Sequence, residues 1–223
     1  ESSGTAKTDG KADARGPRAP QAVDLVKLSD QELADLVRHP NEWHSRMARR
    51  LLQERAAKLD IDGVQKLFDL VFSFVTANQD KPLDAELTRQ MLRCMWTMHA
   101  IAADRNIPLM NSTFLIDAWM PFPDESIRAW AVLLAAEDTK TLRLPTAFTH
   151  FADLARNESS PLVRMAWTSS LQRYAPESRW PVLEVLLSHA EDADDHNLPL
   201  MYWYAVEPLV ATDPQRALHL AAE

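Results

Sequence analysis

Glycine is nearly missing from this sequence. There are four, Gly4, Gly10, Gly16 and Gly63, and three of them fall in the first 16 residues. A sandwich or barrel of many short strands needs glycine at its tight turns, so an all-β fold is not expected. Cysteine is scarcer still. Cys94 alone cannot make an internal disulfide framework, a multi-cysteine zinc site or a c-type haem attachment. It lies among Met91, Leu92, Met95 and Trp96, which predicts a small buried hydrophobe. No apolar run reaches the length of a membrane span and no signal peptide is recognisable, so direct membrane insertion is not expected. From Trp180 to Gln215 there are seven acids and no Lys or Arg, within a chain of net charge −8. That argues against a nucleic-acid binder, whose affinity comes from neutralising phosphates. It suits a solvated face or a basic partner.

What remains is apolar and helical. Hydrophobic residues make up 46% of the chain, with seven Trp and eight Met, enough for a continuous and bulky core. The 14 prolines are expected between apolar segments or at their starts. In Ser159-Ser-Pro-Leu-Val-Arg-Met-Ala-Trp, Ser160 reads as an N-cap and Pro161 as the first helical residue. Leu162, Met165 and Leu171 then form the expected apolar face.

The same shape recurs around Arg46, Arg89 and Arg128, at intervals of 43, 39 and 36 residues that end on Arg164, and Leu200 follows 36 later. Each such helix is preceded by room for a partner. This predicts an all-α fold: a HEAT/armadillo-like right-handed α-α superhelix of about five helix pairs over residues 23–223, with 1–22 as a flexible tail. The expected helices are 29–37 (opened by the Ser29–Glu32 capping box), 43–58, 62–76, 84–103, 112–119, 125–137, 145–156, 160–174, 178–190 and 197–211, and a last one follows Asp213-Pro214. That last helix is still apolar at Ala221, so a further repeat or another domain is expected to pack there. The chain begins on Glu, as expected of a processed or excised piece.

No catalytic or phosphate-binding motif stands out, and no catalytic, cofactor-binding or metal residue is assigned. The candidates are interaction residues. The early arginines Arg46, Arg128 and Arg164 are expected to bond the preceding turn or an acid of the adjacent repeat, with a ligand-facing row as the alternative. His189 to Asn197 holds Asp192, Asp194, Asp195 and His196. Its alternating carboxylates match the start of an EF-hand loop, but the loop glycine and closing Glu are missing, so a solvated loop capped by Asn197 is expected over a metal site. Tyr202, Trp203 and Glu207 belong to a helix that is aromatic all round, which points to a protein neighbour beyond the core (a later repeat or another domain), with a planar cofactor as the alternative.

The stretches 39–55, 92–99, 125–131, 160–164 and, at greatest length, 179–204 resemble one family. They are similar to the HEAT-like region of exported bacterial PVC-type haem-binding CxxCH proteins, putative membrane-bound dehydrogenases. The resemblance implies a segment between a sugar-dehydrogenase-like β-propeller and a cytochrome c domain, in an exported or periplasmic redox protein. Those two domains would be its partners, with c-type haem elsewhere in the parent chain and no cofactor here. This chain has neither propeller nor CxxCH, so no haem ligand or catalytic residue carries over. The expected function is a non-enzymatic scaffold. The alternatives are a free-standing HEAT-like ligand- or metal-binding module, or a HEAT-like DNA glycosylase, which the lack of a basic stripe disfavours.

Overall fold

The computed structural model describes residues 24–102, 112–137 and 145–220. Among them are eleven α-helices, two 3-10 turns and no strand. The helices are α1 (Asp30–Leu36), α2 (Glu42–Ala56), α3 (Ile61–Asn78), α4 (Ala85–Ala102), α5 (Ser112–Trp119), α6 (Glu125–Ala135), α7 (Pro145–Arg156), α8 (Pro161–Leu171), α9 (Pro176–Leu187), α10 (Leu198–Val210) and α11 (Pro214–Leu220). The 3-10 turns are Leu25–Lys27 and Ala190–Asp194. The chain is all-α. The expected tail at 1–22 and the apolar end at Ala221 lie outside the described residues. No described helix is long and apolar enough to cross a membrane.

Local chemistry sets the helix starts. Ser29 and Glu32 form a reciprocal capping box at α1. The side chains of Asn41, Asp60, Asp84 and Asp124 accept backbone N–H bonds at the starts of α2, α3, α4 and α6. Such a cap contributes about 1 kcal/mol by satisfying donors the helix leaves free. Ser160 and Asn197 hold the expected N-cap positions of α8 and α10, but neither side chain makes the cap bond. Ser160 makes no cap bond, since its hydroxyl donates to Glu125 Oε2 at 2.5 Å. Asn197 is not the capping side chain of α10, because Asp195 Oδ1 takes the N–H groups of Asn197 and Leu198.

Pro181 and Pro208 also depart from expectation, lying inside α9 and α10 rather than at their starts. An interior proline costs about 3 kcal/mol in a free helix, so packing must hold these two straight enough to persist. On α8 the expected apolar face holds in part: Leu171 is buried and Met165 packs against the core, but Leu162 does not. Leu162 is 37% exposed, while Val163, Ala166, Trp167 and Leu171 are buried. This helix is enclosed on most of its circumference, which amphipathic periodicity cannot resolve.

The helices form two layers. In one, α2 packs on α4, α4 on α6, α6 on α8 and α8 on α10. In the other, α1 packs on α3 and α7 on α9. Between layers, α1 meets α2, α3 meets α4, α5 meets α6 and α9 meets α10. Leu33, Phe68, Met91, Trp119, Phe151 and Trp167 are fully buried in a single core that runs the length of the array. Removing ~150–250 Å² per Trp from water contributes about 4–6 kcal/mol each at ~25 cal/mol per Å². Cys94 is buried and unpaired, and burial pushes its thiol up to about 12, so it packs as a hydrophobe.

Candidate functional site

The even-numbered helices are stitched to one another near their N-termini. The fourth residue of each helix is Ser45 in α2, Thr88 in α4, Arg128 in α6 and Arg164 in α8. Each of these side chains turns towards a connecting segment. The Ser45 hydroxyl donates to the Val37 carbonyl at 2.6 Å. Thr88 donates to Asp124 at 3.3 Å, joining α4 to the segment that enters α6. Arg128 grips both oxygens of Glu158, ahead of α8, at 2.8 Å. It also donates to the carbonyls of Phe122 and Pro123 behind it. Arg164 repeats the arrangement one step on, bonding both oxygens of Asp192 ahead and the Glu158 carbonyl behind. A planar guanidinium has five donors in a fixed fork, which suits a paired carboxylate plus a carbonyl.

The last of these seams is the most enclosed. Arg164 and Asp192 are each 2% exposed. Burial pushes the Asp192 carboxyl upward, but bonds from Arg164 and from the Tyr202 hydroxyl outweigh it and hold Asp192 below the usual aspartate value. Tyr202 donates to Asp192 Oδ2 at 2.6 Å, and burial together with that carboxylate raises the phenol. His189 flanks the pair, bonding Glu191 at 2.8 Å and facing the Ala155 carbonyl at 3.1 Å. Segment 189–195 is thus not simply a solvated loop. One of its acids is a structural counter-ion, while Asp194, Asp195 and His196 are exposed.

Beside this seam lies a groove of about 350 Å³. It is lined by Pro199, Tyr202, Trp203 and Val206 of α10, by Leu187 and Ala190, and by Ala217 and Leu220 of α11. Trp203 is 55% exposed, and Glu207 beyond it on α10 is exposed. A second cavity, of about 520 Å³, lies between the ends of α5 and α7 over Arg128 and Glu158.

The residues expected on an interaction surface therefore separate. Arg164, Asp192 and Tyr202 are buried and bonded to one another, and Arg128 is bonded inward. Arg46 is on the surface, paired with Glu42 of its own helix. Asp194, Asp195, His196, Trp203 and Glu207 are exposed. Among the described residues no three His, Cys, Asp or Glu are grouped to hold a metal ion.

Sequence reasoning missed Arg93, which is 4% exposed and bonds Glu42 at 2.7 Å and the His39 carbonyl at 2.6 Å. It also missed Glu158, which carries two seams. The signal for Glu158 is its place two residues before the Ser160–Pro161 helix start, where Asp192 stands six before Leu198.

No family model matches the chain, and no curated protein or solved structure is similar to it at a significant level.

Proposed function

We propose that this chain is a non-catalytic helical-repeat scaffold, a HEAT-like right-handed superhelix that holds neighbouring domains at a fixed geometry. The observation that carries this reading is the ladder α2–α4–α6–α8–α10, whose last steps are sealed by Arg128–Glu158 and Arg164–Asp192. The polar groups enclosed there bond one another. A site for chemistry needs groups left free for a substrate, whereas these hold the angle between successive helices. Leu200, Trp203 and Tyr204 of α10 are exposed apolar residues with the exposed acids Asp194, Asp195 and Glu207 around them, a surface on which a neighbour could be met.

The neighbours follow from the sequence resemblance. They are a sugar-dehydrogenase-like β-propeller and a c-type cytochrome domain of a larger, exported redox protein, and the haem belongs to the cytochrome domain. The test is the mass and visible spectrum of the native gene product. The reading expects a polypeptide much larger than 25.3 kDa with a c-type haem band. A haem-free product of about that size overturns the redox context.

A further inference from the structure

We infer that the groove along α10 is a docking site for a cationic amphipathic helix of a partner protein. Three observations lead there. The first is shape. Pro199, Tyr202, Trp203 and Val206 follow the i, i+3, i+4, i+7 spacing of one helix face, and Tyr202 is drawn inward by Asp192. Leu200 and Trp203 are 54% and 55% exposed.

The second is backbone chemistry. The walls are helices, whose main-chain groups are already paired, so an extended strand would gain no ladder of bonds there. An occupant must contribute side chains alone, as a helix in a groove does.

The third is charge. Asp194 adjoins the groove-lining Ala193, and Glu207 lies one turn beyond Trp203. Both are exposed and have no ion-pair partner among the described residues. Glu191 is exposed too but is already paired, with His189 at 2.8 Å and Arg164 at 3.6 Å, so the free charge rests on Asp194 and Glu207. No Lys or Arg occurs between Trp180 and Gln215 to balance them. Arg164 is engaged by Asp192 and Glu191, and Arg216 by Glu184 and the Trp180 ring. A second copy of this chain would set these acids against one another. A helix with an apolar stripe flanked by Lys or Arg pairs them instead.

The inference rests on the scaffold reading only in taking this end of the array as a contact surface, and its test is separate from the mass and spectrum. Fluorescein-labelled peptides of about 18 residues, five turns of helix, are titrated against the full chain by anisotropy. One carries a Leu stripe flanked by Lys, one the same stripe flanked by Glu, and one the Lys composition scrambled so that no stripe forms. The Lys-flanked helix is expected to bind about tenfold tighter than either other peptide, and Trp203→Ala to weaken it by about tenfold. Replacing Asp194→Asn and Glu207→Gln together should close the gap between the Lys and Glu peptides. Both sites are exposed, so far-UV circular dichroism should confirm an intact fold in each variant. Equal binding of the Glu-flanked peptide, or binding indifferent to Trp203→Ala, overturns the inference. So does a concentration-dependent dimer in sedimentation equilibrium that Trp203→Ala abolishes, because it assigns the groove to a second copy.

Discussion

The first and last arginine seams of this array use the same chemistry under opposite conditions. Arg93 is buried, but its partner Glu42 is 45% exposed and also holds Arg46. Arg164 is buried against an Asp192 whose side chain is 3% exposed, with Tyr202 as the acid's second donor. If the arginine of the first seam is removed, its acid keeps water and another cation. If the arginine of the last seam is removed, a carboxylate is left inside the protein with one hydroxyl. The cost of losing an ion pair is therefore set less by the arginine than by where its partner ends up. The first seam joins two elements, whereas the last organises a whole segment, 189–195, that would otherwise be a run of mutually repelling acids.

Breaking the last seam should have the largest effect. Arg164→Ala is expected to destabilise the chain by about 3–5 kcal/mol in urea unfolding, the usual penalty for stranding a buried charge. Exchanging both partners, Arg164→Met with Asp192→Leu, should recover most of that loss, because no unpaired charge remains. Tyr202→Phe should cost about 1.5–3 kcal/mol, since the bond it removes goes to a charged acceptor. Arg93→Ala should cost less, about 1–2 kcal/mol, because only the His39 carbonyl loses a partner without recourse. If Arg93→Ala proves as costly as Arg164→Ala, the contrast between exposed and buried partners fails.

Acid sharpens the same contrast. Asp192 titrates below its ordinary value in the folded chain, so its contribution is complete above about pH 4 and is lost as pH falls through the folded value. Asp192→Asn should therefore flatten the stability profile below pH 4 while lowering stability at neutral pH. The smallest effect on folding belongs to Trp203→Ala, within about 0.5 kcal/mol, because more than half of that side chain is already in water. A larger loss would mean that the groove is part of the core and not a surface.

Much of the helix layout was legible because it is written in short-range chemistry. The capping box at Ser29, the proline starts at Pro161 and Pro214 and the 3.6-residue periodicity of α3 each act within a turn or two. The seams were only half legible. Aligning the helices on arginine picked out Arg128 and Arg164 as inter-helix bonds, but it also matched Arg46 and Arg89, which sit one position further from their helix starts. Both of these face solvent and pair within their own helices. The physical row runs through Ser45 and Thr88 instead, and a Ser or Thr carries no signal that marks it as Arg's counterpart. Arg93 was hidden for a related reason. Its partner lies 51 residues earlier, and nothing local announces a bond at that separation. The buried role of Asp192 was masked by the exposed acids around it, since composition treats the run as one solvated surface.

Glu158 has a mechanical consequence. Arg128 holds its carboxylate while Arg164 holds its carbonyl oxygen, so α6 and α8 are clamped to opposite ends of one residue. Neither helix can rotate without pulling on the other's anchor. The two steps from α6 to α10 thus form a single stiff arm. The step from α4 to α6 has a softer link, the Thr88 hydroxyl on Asp124 and a 3.5 Å approach of His99 to Glu137, where burial keeps the imidazole below its usual value and so largely uncharged. Torsion applied along the chain is therefore expected to concentrate at that joint.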